Sequence, residues 1–551
     1  MRLININSFD LKEFIGTPEN PIPPYVILSH TWGDDEITYS EMMSPTALTL
    51  YKEGYIKIKQ FAAAVALWTA SRNGAIEYIW VDTCCIDKSS SAELSEAINS
   101  MYRWYKHASY CYVYLSDVGG LELDSENIPP EAQEKHRNNA IRDALENCRW
   151  MTRGWTLQEL LANPRVMFFT RDWELLLTKK DWIPHLSMLL GIGRDVLTTC
   201  DPSLASVAQR MSWASRRHTT RAEDMAYCLL GIFDVSMPLL YGEGGERAFV
   251  RLQEEIMKSS DDHSLFAWMN PDRQYASCHG LLASSPTKFA KCRNIIFVDN
   301  PEDNAPFSVT NKGLSLRLSL SRVMEKPGLY IGLLNCRDPG PDGEPLGIYL
   351  IQLGAGQYAR VDADELWIAG DGQSPSPTTG AISLPNLVQF YVRQNIRLPA
   401  DFLTSDVGGF LITEDITSPD IYLCEASPNV TWVSNQGFIP ILAEDSGKQE
   451  FLCYSSRLET TGETTMGSVV IILMWDRQSQ KFGVKFHYNN RRPGETDVQS
   501  RLERKKLLET VGSPIDEFRF YAAGNHRVAS ADMRLGLMGR LVVIKVAIRI
   551  K

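Results

Sequence analysis

From residue 25 to about 173, short apolar runs alternate with stretches in which apolar residues recur every three or four positions. This is the pattern of a parallel sheet covered by helices. Tyr25-Val26-Ile27-Leu28 reads as the first strand, closed by the polar turn Ser29 to Asp35. A helix is expected between Thr46 and Arg72, with Ile58, Phe61, Ala62, Val65 and Trp68 on one face. Tyr78-Ile79-Trp80-Val81 is the second strand, ending at Asp82. Ser90-Ser91-Ala92-Glu93 then has capping-box spacing before a helix carrying Leu94, Ile98, Met101 and Tyr105. The third strand, Tyr110 to Leu115, ends at Ser116-Asp117. The polar stretch from Gly119 to about Asn147 reads as a surface insertion. A short helix from Arg153 to Leu161, halted by Asn163-Pro164, leads to the fourth strand, Arg165 to Phe169. Four strands joined by right-handed helical crossovers predict an open, doubly wound α/β sheet.

Residues 181–260 read as helices, with Thr220-x-x-Glu223 as a second capping-box candidate. From about 264 the periodicity changes to short β-rich runs broken by Gly, Pro, Asn and Asp. In the last run Ile544, Val546, Ile548 and Ile550 alternate with more polar positions. The expected organisation is an α/β domain over 1–180, a helical segment over 181–263 and a β-rich, sandwich or barrel-like module over 264–551. The Ser/Pro/Thr stretch at 372–380 is a loop or linker and a candidate division of that module.

Composition narrows the class. The chain has 551 residues, 44% of them hydrophobic and 22% charged, with a net charge of −11. That is an ordinary globular composition and not one that wraps nucleic acid along its whole surface. Residues 491–551 nevertheless carry 13 Lys/Arg against 7 Asp/Glu. The longest apolar runs, Phe61 to Trp68 and Val469 to Trp475, fall far short of the ~20 residues of a membrane helix. Eleven cysteines, none in a C-x-x-C pair, suggest neither a disulfide framework nor a zinc site, so a reducing cytoplasmic setting is expected.

In a doubly wound sheet, ligands bind beyond the carboxyl ends of the strands, where strand order reverses. That rule gathers Ser29 to Asp35, Asp82 to Ser91, Ser116-Asp117 and the helix bearing Glu159 around one crevice. Glu159 follows Trp155 by four residues, so on a regular helix the indole walls a pocket around the carboxylate; the plainer alternative is a core Trp beside a solvated Glu. Ser29-His30 lacks a Gly-x-Ser-x-Gly elbow. Cys84-Cys85 reads as a pair of buried thiols, and Asp82 with Asp87 is a weak metal pair without further ligands. Gly354-Ala355-Gly356-Gln357-Tyr358-Ala359 fits a dinucleotide fingerprint but lacks the helix that the fingerprint needs, and no P-loop occurs.

The runs Tyr25 to Gly33, Trp80 to Lys88 and Arg153 to Leu160 resemble, in order, the motifs of the heterokaryon-incompatibility (HET) domain of filamentous fungi. Met211 to Ala214, Arg221 to Leu230, Met237 to Gly244 and Asp261 to Trp268 resemble the helical segment that commonly follows it. The resemblance implies non-self recognition and regulated cell death, with self-association and a protein partner. It extends distantly to the flavodoxin-like TIR domain, many of whose members oligomerise and cleave NAD⁺ with a glutamate in a Trp-Cys-x-x-Glu run. Here Trp155-Thr156-Leu157-Gln158-Glu159 keeps the spacing and replaces the cysteine. The resemblance thus implies Glu159 as the catalytic carboxylate, Ser29, His30, Trp32, Asp82, Ser116 and Trp155 around the substrate, and Arg153 beside a phosphate. NAD⁺ is then a substrate, with no cofactor and no metal. The alternatives are a non-enzymatic assembly module whose β-rich half recognises a partner, and catalysis by the C-terminal half itself.

Overall fold

In a computed structural model of the chain the described residues are 1–70, 76–120, 130–270, 279–300, 305–322, 329–338, 343–354, 356–361, 363–369 and 387–394, with the backbone of eight further strands between 407 and 550. The expected linker at 372–380 and residues 491–516 of the basic segment lie outside them.

The first sheet has seven strands: β1 (Arg2–Asn5), β2 (Leu11–Glu13), β3 (Tyr25–His30), β4 (Tyr78–Trp80), β5 (Tyr110–Tyr114), β6 (Val166–Phe169) and β7 (Leu175–Thr178). Their order is β2-β1-β4-β3-β5-β6-β7. β3 lies parallel to β4 and β5, and β5 parallel to β6, whereas β1 runs antiparallel to β4 and β7 antiparallel to β6. The inner four are the strands expected from the sequence. The antiparallel edges β1, β2 and β7 are additions, so the sheet is mixed. β3 is buried along its whole length, the state of a central parallel strand covered on both faces.

The helices between these strands are α1 (Tyr39–Met43), α2 (Glu53–Ala70), α3 (Asp82–Cys85), α4 (Ser91–His107), α5 (Pro130–Asn147), α6 (Arg149–Thr152) and α7 (Thr156–Ala162). The chain passes from β3 out to β4, then back over β3 to β5 and on to β6. Right-handed crossovers therefore place α2 on one face of the sheet and α4 with α7 on the other. Strand order reverses between β3 and β5. On one face Phe61 of α2 meets Tyr112 of β5, ring centroids 5.8 Å apart. On the other, Tyr105 of α4 donates its hydroxyl to the Leu28 carbonyl at 3.1 Å. α4 buries Ala97, Ile98, Met101 and Tyr105; roughly 1.5–3 kcal/mol per large apolar side chain accounts for its docking.

Beyond β7 come α8 (Lys179–Leu190), α9 (Arg194–Thr199), α10 (Val207–Ala214), α11 (Asp224–Tyr227), α12 (Leu230–Phe233) and α13 (Gly245–Met257). The capping spacing Thr220-x-x-Glu223 starts no helix. Glu223 itself precedes α11, and its carboxylate accepts from the Gly242 and Gly244 amides at 2.9 and 3.1 Å. Ser206 and Gln209 form the capping box of this region, at α10.

The β-rich half starts with β8 (Ile296–Phe297), β9 (Ser308–Thr310), β10 (Gly313–Arg322), β11 (Leu329–Arg337), β12 (Pro345–Gly354), β13 (Gln357–Arg360), β14 (Trp367–Ile368) and β15 (Leu387–Val392). β10, β11, β12, β13 and β15 pair in a closed ring, a small barrel, with β8, β9 and β14 extending it. The Gly354 to Ala359 run thus joins two strands of a barrel and opens no helix. Then follow β16 (Val407–Thr413), β17 (Phe438–Pro440), β18 (Lys448–Leu458), β19 (Gly467–Asp476), β20 (Lys481–Asn490), β21 (Glu517–Ala522), β22 (Asn525–Met538) and β23 (Leu541–Ile550). They form a five-stranded sheet, β17-β16-β23-β22-β21, and a three-stranded meander, β18-β19-β20. The alternating run Ile544 to Ile550 lies in β23.

Candidate functional site

Ser29 sits one residue before the end of β3 and is fully buried. Its hydroxyl donates to Glu159 Oε2 in a short hydrogen bond and accepts from Trp150 Nε1 at 2.7 Å. Every residue of α7 is buried, so Glu159 is held inside the fold at 6% exposure. Burial, seconded by the charge of Asp82, raises its carboxyl to about 8. Hydrogen bonds from Ser29 and Tyr105 and the cation of Arg217 pull the other way and are outweighed. At pH 7 this carboxyl is therefore mostly protonated.

The next residues of the chain build a second cluster. His30 Nε2 lies 3.0 Å from Asp82 Oδ1, at the start of α3 beyond β4. Lys57 Nζ, a donor only, lies 2.8 Å from His30 Nδ1, which places the ring proton on Nε2 facing Asp82. Lys57 also pairs with Glu36. Both ring nitrogens are thus engaged away from Ser29, so Ser29 and His30 form no nucleophile–base pair. Trp32 Nε1 donates to Asp82 Oδ2 at 2.8 Å, and Lys88 Nζ stands 3.6 Å from the centroid of the same indole. Burial opposes ionisation of Asp82, but the His30 hydrogen bond, the Lys88 charge and the Trp32 hydrogen bond prevail and lower it to about 2.

Ser29 with Glu159, and His30 and Trp32 with Asp82, thus form two separate clusters at the carboxyl ends of β3 and β4. Ser116 lies half-buried in the turn after β5, and its neighbour Asp117 accepts from the Arg149 amide at 2.7 Å, starting α6. Arg153 and Trp155 face the helical segment instead. Arg153 Nη1 donates to Thr220 Oγ1 at 3.1 Å, and Trp155 Nε1 donates to Asp224 Oδ2 at 3.3 Å. The indole beside Glu159 belongs to Trp150. Sequence spacing missed it because Trp150 lies on α6, before the turn that leads into α7. Thr156, where the TIR run has cysteine, holds that turn: its hydroxyl lies 2.6 Å from the Trp150 carbonyl and accepts from Arg217 Nη1 at 2.9 Å. Arg217 also donates to the Arg153 carbonyl at 2.8 Å, and burial lowers its guanidinium to about 10. Nothing in the sequence pattern singles out Arg217, Lys57 or Trp150. Their side chains reach partners 21 to 121 residues away.

Cys84 and Cys85 are buried thiols, and the neighbouring Cys85 thiol, seconded by burial, pushes Cys84 up. Asp87 bonds Ser89 and not Asp82. Among the described residues no group of three His, Cys, Asp or Glu side chains is placed to hold a metal, and no helix is long and apolar enough to cross a membrane.

Residues 247–311 match a domain of unknown function, a range that takes in most of α13 and strands β8 and β9. No solved structure matches the chain. The chain is similar to the vegetative incompatibility protein HET-E-1 of Podospora anserina, 46% identical over 243 residues. These make up 44% of this chain and 17% of that relative, so the chain spans a minor part of the relative's length. Residues 25–159, from the first residue of β3 to Glu159, match the heterokaryon incompatibility protein (HET) family model, and the chain therefore carries a HET domain.

Proposed function

We propose that this protein is a heterokaryon-incompatibility effector or regulator of cell death, acting in the cytoplasm, whose TIR-like HET domain hydrolyses NAD⁺ when it self-associates. The HET match and the similarity to an incompatibility protein support this role. One observation carries the chemistry: the carboxyl of Glu159 is buried beside Ser29 at the carboxyl end of β3, where strand order reverses.

NAD⁺ hydrolysis suits one carboxylate. The C1′–N1 bond breaks, its electron pair leaves on nicotinamide, water supplies the oxygen that bonds C1′, and a proton is released. The leaving group is cationic before it departs, so no general acid is needed. An ionised Glu159 stabilises the positive charge that develops on the ribose. The resting carboxyl is neutral, and a bound pyridinium cation favours its ionisation, so the substrate itself primes the site. Ser29, freed from Glu159, then faces the ribose hydroxyls.

The test is NAD⁺ consumption at high protein concentration by the full chain and by E159Q. The expected result is nicotinamide release that falls on the order of 10²-fold or more in E159Q. No turnover by the wild-type chain overturns the hydrolase reading. A second reading, a non-enzymatic assembly module whose β-rich half binds a partner, draws on the same site. Glu159 is neutral and hydrogen-bonded to Ser29, as a purely structural carboxyl would be.

A further inference from the structure

The rim of the site carries an aromatic ring that the hydrolysis as written does not use. Trp32 is 47% exposed, yet it is anchored, because its Nε1 donates to Asp82 Oδ2 at 2.8 Å while Asp82 Oδ1 meets His30 Nε2 at 3.0 Å. His30 is fixed in turn by Lys57. An exposed indole with its edge pinned by a carboxylate presents a rigid, electron-rich face. In this structure that face holds a cation, the Lys88 ammonium 3.6 Å from the ring centroid.

We propose that the Trp32 face is the seat of a cationic aromatic ring, the N-substituted pyridinium of an oxidised nicotinamide nucleotide, and that Lys88 is an intramolecular stand-in which this ring displaces. The inference deepens the NAD⁺ reading and rests on it. A flat pyridinium offers what the ammonium offers, positive charge against the indole face and near Asp82, and adds stacking area. The neutral dihydropyridine of the reduced nucleotide lacks the charge, so the site selects the oxidised form. Asp82, which pins the Trp32 indole, is also the carboxylate whose charge acts on Glu159, so a ring on Trp32 lies on the side of the site next to that carboxyl.

The experiment uses the full-length protein and two probes that share one ring, the cation 1-methylnicotinamide and neutral nicotinamide, with binding read by calorimetry and saturation-transfer NMR. The expected result is tighter binding of the cation, and W32L removes that preference while W32F retains part of it. K88M, which removes the competing ammonium, tightens the cation by about two- to fivefold and lowers the KM for NAD⁺. Equal affinity for the two probes, or indifference of both to W32L, overturns the proposal. Turnover of NAD⁺ with a KM that W32L does not move overturns the stacking seat and leaves the hydrolase reading standing. Trp32-dependent binding of the cation without NAD⁺ turnover supports the seat and overturns that reading.

Discussion

A carboxyl that stays protonated at pH 7 opposes folding near neutrality, because the unfolded chain would release that proton. Glu159 has a native value of about 8, above the ordinary 4.5. The native state therefore binds the extra proton between about pH 4.5 and 8, and stability falls as pH rises through that window. At pH 7 the penalty is on the order of 3 kcal/mol. E159Q keeps an acceptor for Ser29 and does not titrate, so we expect a higher melting temperature than wild type at pH 7 to 8 and a flatter dependence on pH. Thermal unfolding from pH 4.5 to 8.5 checks this, and a parallel pair of curves refutes it. The same shift predicts that kcat/KM for NAD⁺ rises with pH and levels off above about 8, since catalysis needs the ionised form. Glu159 was legible in the sequence through the third of the ordered motifs, Arg153 to Leu160, which contains it. Its neighbour was not: four-residue spacing pairs Glu159 with Trp155 only if both lie on one regular helix. Trp155 stands before the first turn of α7 and bonds Asp224, 69 residues further on, while Trp150 supplies the nearby indole. Partners so far apart in sequence leave no periodic signal.

The seven residues of α7 are too few to hold a helix alone, so its position is set by what grips its start. Thr156 and Arg217 bind the turn, and the Gly154 amide donates to the His218 carbonyl at 3.0 Å. A Cβ on Gly154 would lie 2.5 Å from Thr219 Cγ2 and 3.2 Å from Cys228 Sγ. G154A should therefore cost about 1–3 kcal/mol, lowering the midpoint of urea denaturation. Combining it with T219S, which removes that Cγ2, should recover most of the loss; no recovery would show that another contact sets the cost. Long elements such as α2 and α4 were readable because apolar positions recur over four or more turns. The edges β1, β2 and β7 have three or four residues each and show no alternation to detect. Cap signals were less dependable, since they fix only one end of a local bond. Ser90 accepts from the Glu93 amide, as its spacing predicts, but the Glu93 side chain turns to Arg2 and the Asp87 amide instead of closing the box.

Helices give way to strands near residue 264, but packing continues across that point. One apolar cluster runs from Leu3 through Phe249, Phe266 and Trp268 to Leu316, Tyr358 and Phe390 of the barrel. Arg360 of β13, fully buried, donates to the Phe266 and Trp268 carbonyls at 2.8 and 2.5 Å and stacks 4.0 Å from the Trp268 ring. A chain cut after residue 268 loses Arg360 with its bonds to the Phe266 and Trp268 carbonyls, and exposes the apolar surfaces of Phe266 and Trp268. A chain ending at residue 394, just after β15, keeps the ring of barrel strands and those bonds. We expect fragment 1–394 to unfold in one cooperative transition and to resist proteolysis, and fragment 1–268 to aggregate or to be cleaved within the HET domain. R360M in the full chain should fall between them, with a lowered melting temperature and protease cuts near residue 268. Equal stability of the two fragments would mean that the HET domain and its helices stand without the barrel, and that the continuous core adds nothing to their folding.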